Sequence, residues 1–143
     1  MRTYILAPFT EYKAARALRS ALRGIVTVCS SWIDDAYRYW EETRGYLSDV
    51  KYQPNVVKTR EEMRDTECLI VMVYRDMGAE MFIEIGYFLG ARRWNRVIWY
   101  GAPIAYILND ATRIIPTNTV TDTIEALKRE SARFDCHDQS TNR

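Results

Sequence analysis

Only one histidine, His137, occurs in the 143 residues, and it lies in the polar C-terminal stretch. A histidine-based catalytic triad is thereby excluded. Cys136-His137-Asp138 supplies three ligand types in a row, but adjacent ligands on a polar tail do not wrap a cation, so no metal is expected. No Gly-x-Gly-x-x-Gly follows the first apolar run and no Gly-Lys-Ser/Thr occurs anywhere, which removes the usual cradles for a dinucleotide or a triphosphate. No cofactor is expected. The three cysteines, Cys29, Cys68 and Cys136, are odd in number and scattered, the pattern of reduced thiols in a cytoplasm rather than of a disulfide framework. No apolar run approaches the ~20 residues of a membrane helix. Residues 1–9 give only a short apolar strand before Glu11 and Lys13, so no signal peptide is expected. The net charge of +1 gives no electrostatic reason to expect polymeric nucleic acid as a partner.

What remains is an ordinary globular composition, 48% hydrophobic and 27% charged, in a chain long enough for one core. Tyr4-Ile-Leu-Ala7 reads as a buried strand closed by Pro8-Phe9-Thr10. A helix follows with Ala14, Ala17, Leu18, Ala21 and Leu22 on one face, ended by Gly24. Ile25-Val-Thr-Val-Cys29 is the second strand, and residues 34–50 read as a helix with a weak stripe of Ala36, Trp40, Leu47 and Val50. Thr59-Arg-Glu-Glu62 matches a capping box for a short helix ending near Thr66. Then come a continuous apolar strand from Cys68 to Tyr74, a helix over 81–93 and a strand from Arg96 to Tyr100. A short strand at Arg113-Ile-Ile115 and a last helix capped by Thr121 or Asp122 complete the domain, 1–134; residues 135–143 read as a loose polar tail. Alternation of this kind predicts a single-domain α/β fold, a doubly wound parallel sheet of about five strands, flavodoxin/Rossmann-like, with the first and third strands adjacent.

That order brings two distant segments to one crevice at the carboxyl ends of the strands, where open α/β sheets bind ligands. The first is Tyr4 to Thr10. The second begins after the third strand with the polar turn Arg75-Asp76-Met77-Gly78 and runs into Phe82-Ile-Glu-Ile-Gly-Tyr87, with Met81, Ile85, Phe88 and Leu89 at helical spacing. Glu84 is thus expected in the first turn of a helix over the end of a buried strand. A carboxylate there is also what the helix dipole alone favours. The crevice offers Tyr4, Phe9, Trp32, Asp34, Asp35, Asp76 and Glu84. Carboxylates beside aromatic platforms suit displacement at an anomeric carbon with a flat base as leaving group.

Tyr4-Ile-Leu-Ala-Pro-Phe9, Ser31-Trp32-Ile-Asp34 and Phe82-Ile-Glu-Ile-Gly-Tyr87 together resemble the nucleoside 2-deoxyribosyltransferase family, over roughly residues 3–110. The resemblance implies that Glu84 attacks the anomeric carbon and forms a glycosyl-enzyme intermediate, that Tyr4 orients it, and that Asp76 protonates the departing base. It implies a substrate-binding set of Ala7, Pro8, Phe9, Trp32, Asp34, Thr59, Gly78 and, from a neighbouring subunit, Asn109. Thr59 stands where the family carries a sugar-holding aspartate, which leaves room for altered substrate choice. Ala7-Pro8-Phe9-Thr10 replaces the Gly- and Arg-containing loop of related nucleotide N-hydrolases, leaving Arg16, Arg19 or Arg75 to supply any charge toward a phosphate.

Each residue has a plainer reading. Tyr4, Phe9 and Trp32 serve equally as core aromatics, Asp76 as a turn residue, Asp34 and Thr59 as helix caps, and Gly86 and Gly90 as close packing on the sheet. Three functions stay open: cleavage or transfer of the N-glycosidic bond of a (2-deoxy)nucleoside, hydrolysis of a nucleoside 5′-monophosphate or NAD-type glycosyl bond, and nucleotide binding without turnover. The expected partner is a small nucleoside or nucleotide, with no membrane. The aromatics Tyr37, Tyr39, Trp40, Tyr46 and Tyr52 crowd one segment, which suggests a homodimer or higher homo-oligomer unless they pack within the chain.

Overall fold

Apolar runs of four or five residues, too short for helices and bounded by turn residues, become the central strands. The computed structural model describes residues 1–42, 56–74, 77–92, 94–101 and 113–141, with side chains at all of these except 42, 56 and 135–141. In chain order the elements are β1 (Arg2–Leu6), α1 (Tyr12–Ala21), β2 (Thr27–Val28), α2 (Trp32–Tyr37), α3 (Val56–Arg64), β3 (Cys68–Met72), α4 (Ala79–Ala91), β4 (Arg96–Tyr100), β5 (Ile114–Thr117) and α5 (Val120–Thr141). The five strands form one parallel sheet in the order β2-β1-β3-β4-β5. This is the expected doubly wound order with β1 and β3 as neighbours; Thr3 pairs with Cys68 and Leu6 with Val71.

β3 is the centre of the core. All five of its residues are buried, as a strand covered by helices on both faces requires. Ile5, Leu6, Ile98, Trp99, Ile85, Phe88 and Leu127 pack around it. The Cys68 thiol is held far above its ordinary range by burial, with the Glu130 and Glu67 carboxylates adding to the effect. Cys29 and Cys68 are free; the side chains of Cys136, His137 and Asp138 lie outside the described residues. No helix among the described residues is long and apolar enough to cross a membrane.

Several boundaries differ from the sequence reading, each for a local reason. β2 begins at Thr27 rather than Ile25 because the amides of Ile25 and Val26 still bond the Leu22 carbonyl, in a turn that Gly24 makes at φ 81°. The buried face of α1 is Tyr12, Ala15, Leu18 and Leu22; Ala17 and Ala21 are exposed. α3 starts at Val56, so Thr59 lies inside the helix and caps nothing. Its supposed box partner, Glu62, instead accepts the Ser31 amide at the start of α2, 3.2 Å away. α2 likewise begins at Trp32, so Asp34 is not its cap. The box that does form is Thr119/Asp122: the Asp122 amide donates to Thr119 Oγ1 at 3.1 Å and the Thr119 amide to Asp122 Oδ2 at 3.1 Å. α5 then runs through Thr141, so the backbone is helical where a loose tail was expected. Gly86 and Gly90 do not pack on the sheet; both are exposed, with open space around them.

Candidate active site

β1 leaves its neighbour early. With β2 only two residues long, the amide of Ile5 has no backbone partner there and donates instead to Ser30 Oγ at 2.6 Å. The Ile5 carbonyl accepts the Trp32 indole N–H at 2.8 Å. Two side chains of the Ser30-Ser31-Trp32 turn thus finish a ladder that the short strand cannot, and they fix Trp32 beside the end of β1. The Phe9 ring stands against it, centroids 6.3 Å apart and tilted by 43°, and meets Tyr39 edge-on at 6.0 Å.

The opening so formed is a cleft of about 190 Å³ lined by Tyr4, Leu6, Ala7, Pro8, Phe9, Trp32, Thr59, Glu80, Met81 and Glu84. Of the residues named from the sequence, Tyr4, Ala7, Pro8, Phe9, Trp32, Thr59 and Glu84 come together here. Asp34 does not line it. It is an exposed residue whose two oxygens take Arg19 Nη1 and Nη2 at 2.9 and 2.6 Å, and that pairing keeps its carboxyl below the usual range. Gly78 does not line it either; in extended conformation it precedes the first turn of α4. Asp76, Asn109 and Arg75 lie outside the described residues, as do Tyr46 and Tyr52.

Glu84 sits one turn deeper into its helix than expected. Gly78 at φ −70° and ψ 161° lets α4 begin at Ala79, so the first-turn acid is Glu80 and Glu84 follows in the second turn. The consequence is electrostatic. Away from the orphan amides of the helix start, Glu84 has no dipole to hold its charge. Burial pushes its carboxyl above the ordinary range, the Glu80 charge pushes the same way, and the Arg60 guanidinium opposes both. The first-turn placement expected to favour the anion is therefore corrected, and the Glu84 carboxyl shifts upward. Glu80 and Arg60 were both missed in the sequence. Glu80 was legible as i−4 from Glu84 on the same helix face; Arg60 depended on how α3 lies against α4.

The charge foreseen for a phosphate is otherwise engaged: Arg19 holds Asp34, and Arg16 stacks over the Tyr37 ring at 4.1 Å from its centroid. A larger hollow of about 390 Å³ lies along α1, lined among others by Tyr12, Lys13, Arg16, Tyr37 and Glu41. Its groups already engage one another: Glu41 takes the Tyr12 hydroxyl at 2.6 Å and the Lys13 ammonium at 3.1 Å, and Arg16 lies over the Tyr37 ring. The smaller cleft holds the unneutralised acids and the aromatic walls, and it lies at the β1/β3 switch point. Comparison with protein-family models, with curated proteins and with solved structures finds no match to this chain.

Proposed function

We propose that the protein cleaves or transfers the N-glycosidic bond of a (2-deoxy)nucleoside through a covalent glycosyl-Glu84 intermediate. The observation that carries this reading is the composition of one cleft: a half-buried carboxylate, Glu84, faces the same 190 Å³ space as the Tyr4 phenol and the Phe9 and Trp32 rings. The carboxylate is the nucleophile, Tyr4 orients it, and the aromatic wall receives the base. Thr59 lines the sugar side of the cleft in place of an acid, and its hydroxyl can hold a sugar hydroxyl without adding charge. The resemblance to nucleoside 2-deoxyribosyltransferases points the same way.

The test is base release from a panel of nucleosides, nucleotides and NAD, followed by chromatography. A 2-fluoro-2-deoxy nucleoside, whose second step is slowed, should leave a sugar adduct on Glu84 visible by mass spectrometry. Release from a 5′-phosphate or NAD alone would assign the hydrolase alternative. Binding of nucleotides with no release would assign the binding module.

Self-association belongs to the same reading. Among the described aromatics of 37–40, Tyr37 and Tyr39 pack within the chain, while Trp40 stays exposed. The outer side of α4 carries Ile83 at 67% and Tyr87 at 49% exposure, and that face suits a second copy. A monomer mass in light scattering at micromolar concentration would refute this. The free thiols Cys29 and Cys68 fit a reducing, cytoplasmic setting.

A further inference from the structure

The sequence named Glu84 and looked to the turn before it for the proton. Covalent displacement with retention needs two carboxyl groups about 5–5.5 Å apart, one to attack and one to move a proton. Among the described residues, the acids lining the cleft are Glu80 and Glu84. Glu11, a third carboxylate at this end of the sheet, acts on the Tyr74 hydroxyl, which burial and, with it, the Glu11 charge hold above the ordinary range, and does not line the cleft. Glu80 and Glu84 lie four apart on α4, which sets their Cβ atoms about 5–6 Å apart on one helix face.

Their depths differ. Glu84 is half-buried and Glu80 exposed. An attacking carboxylate gains from shielding, because water at its oxygen competes for the sugar. A proton carrier has the opposite need: it must lose one proton to the leaving base and take up another from the incoming water or acceptor, so it belongs at the mouth. Among the described residues, the other charged and titratable groups near the pair are Arg60 from α3, whose charge acts on Glu84, and Tyr4 from β1, which lines the cleft.

The geometry points to Glu80 as the general acid–base group of this site. The inference rests on the glycosidic reading above and names a catalytic residue that neither the motif nor the resemblance supplied. In the first step a Glu84 oxygen bonds the anomeric carbon and the carbon–nitrogen bond breaks. Its electron pair goes to the base, which takes the proton of the Glu80 carboxyl and leaves neutral. In the second step the Glu80 carboxylate takes the proton of water, or of an acceptor base, as that nucleophile bonds the anomeric carbon. The ester bond breaks, and its electron pair returns to Glu84.

The experiment compares wild type, Glu80→Gln and Glu84→Ala on an ordinary purine nucleoside and on its N7-methylated form, whose base departs without protonation. Glu80→Gln should slow release from the ordinary nucleoside by roughly 10²–10⁴-fold and release from the methylated one far less. Activity on the methylated substrate also reports that the variant is folded. Added azide, a nucleophile with no proton to lose, should restore turnover of Glu80→Gln and give a glycosyl azide of retained configuration. With Glu84→Ala any azide product should be inverted. An active wild type whose Glu80→Gln variant keeps the wild-type ratio between the two substrates overturns this assignment alone. A wild type that releases base from neither substrate overturns the glycosidic reading and this inference with it.

Discussion

The two rims of the sheet treat charge in opposite ways. At the amino-terminal rim several polar side chains are tied down, although Asn95 Oδ1 is buried without a hydrogen-bond partner among the described residues. Asn95 Nδ2 donates to the Phe88 carbonyl at 2.6 Å, and Arg113 donates to the carbonyls of Leu89 and Arg92 at the end of α4. Glu130, 7% exposed at its side chain, takes Arg96 at 3.5 Å and Arg133 at 3.1 Å. At the carboxyl-terminal rim Glu84 is half-buried with a like charge, Glu80, as neighbour. The first arrangement closes helix ends and locks α5 to β4. The second raises the energy of a carboxylate and leaves it facing a cleft. The matched charges support the fold, and the raised carboxylate is held at a cost to it, as the proposed chemistry requires.

Substitution on each side separates the two roles. Glu84→Ala should abolish base release, a loss on the order of 10⁴-fold or more as for other essential nucleophiles, with a melting temperature no lower than wild type. Glu130→Ala should do the reverse. Removing the acid takes away the ion pair that ties α5 to Arg96, which keeps its bonds to the Trp94 and Asn95 carbonyls, and loss of such a charge-assisted contact costs about 1–3 kcal/mol. Chemical denaturation should register that loss, while base release per folded molecule stays at the wild-type value. If Glu130→Ala lowers activity per folded molecule as strongly as Glu84→Ala, the contrast between the rims fails.

Tyr4→Phe tests the floor of the cleft and should have an intermediate effect. Tyr4 is 1% exposed and the ring is kept, so the core loses little packing. On the proposed mechanism the variant loses the hydroxyl that orients Glu84, worth about 1–3 kcal/mol in the transition state, or roughly 10–100-fold in kcat. An unchanged kcat would make Tyr4 a core aromatic and nothing more.

How much of this contrast the sequence carried follows from which signals are local. The continuous apolar run of β3, the alternation of elements and the turn before α4 are local patterns, and they led to the observed strand order and to a crevice containing Tyr4, Phe9, Trp32 and Glu84. Boundaries set by tertiary partners were not legible. Nothing local says that Ser30 replaces β2 as the partner of Ile5, or that Glu62 reaches Ser31 instead of closing a box with Thr59. Alanines of α1 read as a stripe because alanine fits either face of a helix; the true buried face is marked by Tyr12, Leu18 and Leu22. Asp34 looked like a ligand because its pairing with Arg19 lies fifteen residues away. The two-residue shift in the start of α4 mattered most, since it moved Glu84 out of the first turn, away from the amides expected to favour its anion, and left burial to raise its carboxyl.

The raised Glu84 carboxyl yields the smallest and most specific effect. An acid whose folded-state carboxyl is raised above its unfolded value destabilises the fold only where it is charged. Below the unfolded value, about 4.3 for glutamate, both states are protonated and the penalty is absent. As pH rises past that value the unfolded chain ionises first, and stability falls until the folded-state carboxyl has also ionised. Glu84→Gln removes the charge and keeps the shape. It should therefore be more stable than wild type at neutral pH, by up to about 1 kcal/mol for a half-buried group, or a few degrees in Tm. The gain should shrink to nothing as the solution is acidified toward pH ~4. Glu80→Gln should give a smaller gain with the same sign, because it removes only the repulsion felt by Glu84 and leaves the desolvation. Melting curves of the three proteins across this range check the order. A Glu84→Gln variant less stable than wild type at neutral pH would mean that Arg60 outweighs burial, and that this carboxylate is matched like those of the opposite rim.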